Sequence, residues 1–113
     1  MITPTRLENI KEIVDAQRAY FRTNATLSLS FREQMLKRLR ASIISFEKEL
    51  CDALYKDLHK SYEEAYMTEI SIVLGEIDGF LKNLKRWAAP SKKSTPLKMF
   101  PSRSMIITEP LGV

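Results

Sequence analysis

The 113-residue chain is poor in the residues from which most catalytic and binding motifs are built: it has three glycines, one histidine, one cysteine and one tryptophan. A single cysteine, Cys51, excludes an intrachain disulfide and fits a reducing compartment. Gly75, Gly79 and Gly112 are spaced wrongly for a glycine-rich phosphate loop, which bunches backbone amides within a few residues. No cluster of His, Cys, Asp and Glu has metal-ligand spacing. Long uncharged apolar runs are also missing, so no membrane span is expected. Met1 to Thr5 hold no basic region leading into an apolar stretch, so no secretory signal is read and a cytoplasmic protein is expected.

Acidic residues are missing from one stretch only. Lys11, Glu12, Asp15 and Arg18 alternate in sign, as do Arg32, Glu33, Lys37, Arg38, Glu47, Lys48 and Glu49, which is the pattern of solvated helix faces. Lys82, Lys85, Arg86, Lys92, Lys93, Lys98 and Arg103 meet no acid and account for the net charge of +4. No aromatic residues interleave with these lysines in the way a single-stranded nucleic acid requires, so the basic tail is read as solvated or partner-facing, with no nucleic acid.

Apolar spacing predicts a mainly α chain of three to four amphipathic helices followed by a short β-ribbon. The first helix is expected over residues 5–22, with Leu7, Ile10, Val14, Gln17 and Phe21 on one face. Ser30-Phe31-Arg32-Glu33 has the form of a capping box and starts the next helix at Ser30. Met35, Leu39, Ile43, Phe46, Leu50, Leu54 and Leu58 continue it to about Lys60. A break is expected near Ser45, where β-branched Ile43 and Ile44 lie beside serines that compete for backbone bonds. Tyr66, Ile70, Val73, Ile77, Phe80, Leu84 and Trp87 form a third stripe, flanked by Met67, Leu74, Leu81 and Ala88. Within it, Gly75 and Gly79 lower helix propensity, which implies close approach of another backbone.

Pro90 ends the third helix and Ser91 to Pro96 read as linker. Leu97 to Phe100 and Ser104 to Thr108 are expected to be the two strands of the ribbon, with Pro101 marking an exposed edge. Residues 1–90 thus form a helical segment and residues 91–113 a linker and ribbon. Met105, Ile106, Ile107, Leu111 and Val113 look like an apolar strand cut short, so the chain is expected to be the front of something larger.

The isolated chemical groups do not assemble into a site. Cys51 follows Leu50 in a helix and has no base nearby in sequence, so it is read as a small buried hydrophobe. His59 sits at a helix end, where its charge suits the macrodipole. Glu63 with Glu64, and Glu47 with Glu49, lack apolar neighbours to raise a carboxyl pKa for acid-base work. No catalytic, cofactor-binding or metal-binding residue is therefore assigned in this chain.

The order of short motifs resembles the N-terminal segment of the aldehyde dehydrogenase superfamily, in its class 3-like branch. The matching stretches are Ala16-Gln17-Arg18-Ala19-Tyr20-Phe21, Phe31-Arg32 with Leu36 and Leu39, Glu49-Leu50 with Ala53-Leu54, and Asp57-Leu58-His59-Lys60. Tyr66 with Glu69 and Ile70, Trp87-Ala88-Ala89 and Glu109-Pro110-Leu111-Gly112-Val113 complete the series. The resemblance implies a fragment of an α/β, Rossmann-like fold whose parent oxidises aldehydes to carboxylic acids with NAD or NADP. In that family a cysteine thiolate attacks the carbonyl and a glutamate-activated water hydrolyses the thioester. Those groups and the nucleotide-binding strands would follow Val113, so Cys51 is not the nucleophile. The expected partners are the remainder of the dehydrogenase chain and a second copy in a homodimer. The alternative is a stand-alone helical protein-interaction module that uses the Tyr66 to Trp87 stripe.

Overall fold

The computed structural model describes residues 6–112. Thr5, expected in the first helix, and Val113, expected in a strand, lie outside them. The described chain is mainly helical and ends in a two-stranded antiparallel ribbon, as the spacing predicts. It divides into two compact units, Arg32–Trp87 and the stretches on either side of it.

The Arg32–Trp87 unit holds most of α2 (Leu29–Ser45) and α5 (Ser71–Ala88), with α3 (Glu47–Leu58) and α4 (Tyr62–Ala65) between them. The break falls where the β-branched pair and the serines predict it, with Phe46 (φ −106°, ψ 20°) as the joint. Phe46 N–H still donates to Ser42 O, and Leu50 N–H to Phe46 O, at 2.9 Å each, so these two backbone bonds carry the joint. The C-terminus of α3 is closed by His59 in the left-handed region (φ 54°), whose N–H donates to Tyr55 O at 2.8 Å. Two residues later Ser61 caps α4, its hydroxyl accepting from Glu64 N–H at 3.2 Å.

Between α4 and α5 the helix opens into a π-turn over Tyr66–Ile70, in which Ser71 N–H bonds to Tyr66 O, five residues back. Carbonyls in this widened stretch are also met by hydroxyls: Thr68 Oγ1 donates to Glu64 O at 2.8 Å and Ser71 Oγ to Met67 O at 2.9 Å. The wider turn brings Ala65 and Ile70, five apart, onto one buried cluster with Cys51. Half-buried Ile43, Leu54 and Leu74 pack around that cluster. A uniform 3.6-residue period would put Tyr66 there instead, but Tyr66 is exposed. Along α5 the inward line is therefore Ile70, Leu74, Ile77, Leu81 and Leu84, while Val73, Phe80 and Trp87 form an exposed row. Phe80 and Trp87 stack edge to face at 5.4 Å.

The close backbone approach expected at Gly75 and Gly79 does not occur: a Cβ built at either would meet nothing within 4 Å among the described residues. Arg40 instead joins α2 to α5, donating through Nε and Nη2 to the two carboxylate oxygens of Asp78 at 2.7 and 3.2 Å.

The flanking unit begins with α1 (Leu7–Arg22), which buries no residue fully. A 3₁₀ turn (Ala25–Leu27) follows, preceded by Asn24 in the left-handed region. The capping box expected at Ser30 does not form. Helix α2 starts one residue earlier, at Leu29, and Ser28 Oγ accepts from Phe31 N–H at 3.3 Å. Ser28 has the extended backbone of a cap (φ −62°, ψ 121°), while Glu33 is held by Lys37 at 2.8 Å.

The ribbon forms from a different first strand. Ser91–Lys93, expected to be linker, is β1, and it pairs with β2 (Ser104–Ile106) in the register Ser91 with Ile106, Lys92 with Met105 and Lys93 with Ser104. Leu97–Met99 is a 3₁₀ turn at the tip, and Pro101 lies in that tip after a cis peptide bond rather than on a strand edge. The local reason is Thr95, whose hydroxyl accepts from Ser104 N–H at 2.9 Å and donates to Ser104 Oγ at 3.0 Å. This link closes the hairpin before Leu97 can pair. Beyond Ile106 the described residues form no strand, and Leu111 is fully exposed.

Three outcomes follow for the chain in solution. His59→Gly raises unfolding stability by about 1 kcal/mol in urea titration, because glycine takes the left-handed cap without the Cβ penalty. Gly75→Ala and Gly79→Ala each add up to about 1 kcal/mol, since the added methyl meets no atom. Arg40 holds the Asp78 carboxyl below the usual carboxylate range through hydrogen bonding and charge. A folded pKa below the unfolded one stabilises above the unfolded value and is lost as pH falls through the folded one. Asp78→Asn therefore lowers the melting temperature at neutral pH, and the difference from wild type closes on acidification.

Candidate functional site

The candidate chemical groups of the sequence converge partly, on structure rather than on a reaction centre. Cys51 is 3% exposed, against Ala65 and Ile70, and burial together with the Glu47 and Asp52 charges pushes its thiol pKa up. A nucleophilic cysteine needs the opposite, a positive neighbour that favours thiolate. His59 closes α3 through its backbone and lays its ring against Tyr55 at 5.6 Å.

Glu47 accepts from the Tyr62 hydroxyl, which ties the start of α3 to α4. That bond is the main cause, ahead of burial, for the Tyr62 pKa rising to about 12. Tyr62 is thus held as a neutral donor at physiological pH. Lys60, its side chain mostly buried, donates to Glu69 and, at 3.1 Å, to Thr68, which bridges the end of α3 to the π-turn. Sequence reading missed both links, because each joins residues whose proximity depends on the turn at Ser61. Glu63 and Glu64 lie in the first turn of α4, where negative charge suits the helix dipole. Among the described residues no group of three His, Cys, Asp or Glu side chains could hold a metal ion.

What the chain offers is open apolar surface. Within the Arg32–Trp87 unit a groove of about 370 Å³ is lined by Ile43, Leu50, Ala53, Leu54, Ile70 and Val73, with Asp57 and Glu69 among its few polar groups. In the flanking unit a hollow of about 500 Å³ is lined by Ala16, Tyr20, Phe21 and Pro110, among others. Gly112, at φ 122°, brings its backbone against the Phe21 ring there, where a Cβ would lie 3.7 Å from the ring. Neither concavity holds a convergent acid, base and nucleophile. Both are open and mainly apolar.

No protein-family profile matches the chain. Curated relatives do. It is 44% identical over 95 residues to the 4,4'-diaponeurosporen-aldehyde dehydrogenase of Staphylococcus aureus, a match that covers 84% of this chain and 21% of the relative. It is 39% identical over 107 residues to the dimeric NADP-preferring aldehyde dehydrogenase of Canis lupus familiaris, covering 95% and 24%. To the chloroplastic aldehyde dehydrogenase family 3 member I1 of Arabidopsis thaliana it is 38% identical over 101 residues, covering 89% and 18%. The chain therefore spans about a fifth of the length of the relatives it matches. A solved structure of Staphylococcus aureus AldH in a substrate-bound state superposes with a TM-score of 0.86 at 42% identity, over 89% of this chain and 22% of that one. In sequence and in fold, the chain matches a segment of aldehyde dehydrogenases, family 3 members among them.

Proposed function

We propose that this chain is the N-terminal part of an NAD(P)-dependent aldehyde dehydrogenase, that it packs against and supports the nucleotide-binding domain of its parent, and that alone it is inactive. The carrying observation is uncovered surface. The chain exposes 9780 Å², whereas a self-contained protein of 13.1 kDa exposes about 6,400 Å². The surplus of about 3,400 Å² is about four times the roughly 800 Å² that one partner contributes to a standard interface. It is contributed in part by the groove beside Ile70 and the row of Val73, Phe80 and Trp87.

The reaction of the parent is the oxidation of an aldehyde to a carboxylic acid, with NAD or NADP taking up the hydride. The described residues contribute no glycine-rich turn or nucleophile to it, and no step is assigned to them. A homodimeric parent is in keeping with the dog relative, whose name describes it as dimeric and NADP-preferring. A cytoplasmic location is in keeping with one buried free thiol and no need for a disulfide.

The 113-residue chain is expected to give no reduced cofactor above the buffer blank with benzaldehyde and either NAD or NADP. A measurable rate overturns the claim of inactivity. Mixing it with the remaining four-fifths of the Staphylococcus aureus relative tests packing: the single tryptophan, Trp87, is half exposed, so docking shifts its emission to the blue. Unchanged emission together with unchanged sedimentation overturns the packing role.

A further inference from the structure

Helix α5 carries two apolar lines, one through Leu74, Ile77, Leu81 and Leu84 that faces inward and one through Val73, Phe80 and Trp87 that is exposed. The residues just before it are anchored independently of that choice. Ala65 is fully buried against Cys51, Ser61 caps α4, and the Tyr62 hydroxyl donates to Glu47. With α4 held there, each residue added or removed turns the helix beyond it by about 100°. The π-turn over Tyr66–Ile70 holds one residue more than an α-helical turn, so closing it to α rotates α5 by that angle. The rotation brings Val73, Phe80 and Trp87 round to the side where Leu74 now meets Ile43 and Leu54. It also carries Glu69 and Glu76 inward and takes Asp78 away from Arg40, which sets the π-turn as the resting arrangement. Glu69 lies inside the turn itself, and it is the residue that Lys60 holds. The Lys60 side chain is only 20% exposed and donates to Thr68 as well, at 3.1 Å.

We propose that the π-turn is a register switch for α5, with Lys60 and Glu69 as its catch. While Lys60 holds Glu69 and Thr68, the row of Val73, Phe80 and Trp87 stays at the surface. When the turn closes to α, Glu69 leaves Lys60 and the row turns inward. Anything that covers the row favours the π arrangement, because only that arrangement presents it. The competing account makes the turn a passive result of Ala65 and Ile70 packing on Cys51, in which case the register is indifferent to the charge at Glu69. The proposal stands on α4, α5 and Lys60 and does not depend on the dehydrogenase reading.

The test uses the full 113-residue chain and two variants, read by NMR couplings across hydrogen bonds, Trp87 emission and sedimentation. In wild type the Ser71 N–H couples to the Tyr66 carbonyl. Glu69→Leu removes both the catch and the charge that opposes rotation, so the coupling moves to the Met67 carbonyl and Trp87 emission shifts to the blue at unchanged mass. Deletion of Met67, an exposed residue of the turn, takes out the extra residue directly. Ala65 and Ile70 then stand four apart, α5 keeps its present phase, and the shortened chain unfolds cooperatively with the emission of wild type. In an ordinary helix the same deletion turns everything beyond it by about 100°. Three results overturn the proposal: a Glu69→Leu chain that keeps the Ser71 to Tyr66 coupling, a blue shift confined to a heavier species, or a Met67-deleted chain that loses cooperative unfolding or shifts its emission. The deletion decides the matter if Glu69→Leu does not fold.

Discussion

The π-turn at Tyr66–Ile70 sets the arrangement of the Arg32–Trp87 unit. Its extra residue places Ala65 and Ile70 on the same side, against Cys51, and thereby decides which line of α5 turns inward. The turn is held by hydroxyls on its own backbone, from Thr68 and Ser71, and by Lys60, which reaches Thr68 and Glu69 from the end of α3. Polar side chains here do the work of positioning, and the small apolar cluster depends on them. Lys60, Thr68 and Glu69 thus take part in holding the turn.

The same geometry explains the open faces. Because the inward line runs through Leu74, Ile77, Leu81 and Leu84, the second line through Val73, Phe80 and Trp87 is left exposed. The sequence pattern shows both lines as apolar, which describes a helix covered on two sides. On one side Leu74 packs with Ile43 of α2 and Leu54 of α3 against the buried cluster. The apolar stripe is thus wider than the line that the described residues bury.

Legibility in the sequence followed the range of the interaction. The joint at Phe46, the helix stop before Pro90 and the buried Cys51 were readable, because β-branching, proline and apolar period act over one or two turns. The cap at Ser28 was missed for Ser30 because both serines fit, and the choice rests on which one takes the extended backbone. Ser91–Lys93 was missed as a strand because Ser-Lys-Lys has low β-propensity, and it becomes a strand through Thr95 and its partner Ser104–Ile106. The glycines misled for a physical reason as well. Low helix propensity marks a close contact somewhere, and the described residues contain none at Gly75 or Gly79. No catalytic residue was assigned from the sequence. The likeness to aldehyde dehydrogenases was legible through the order of motifs, which no single helix could have supplied.

The central claim is that this fold is organised around a small core and finished by surfaces outside it. Amide hydrogen exchange on the 113-residue chain tests that most directly. Protection concentrated between Cys51 and Ile77, with α1 and the ribbon exchanging close to the unprotected rate, is the predicted pattern. Strong and uniform protection running through α1, α5 and the ribbon would show a self-sufficient domain and contradict it.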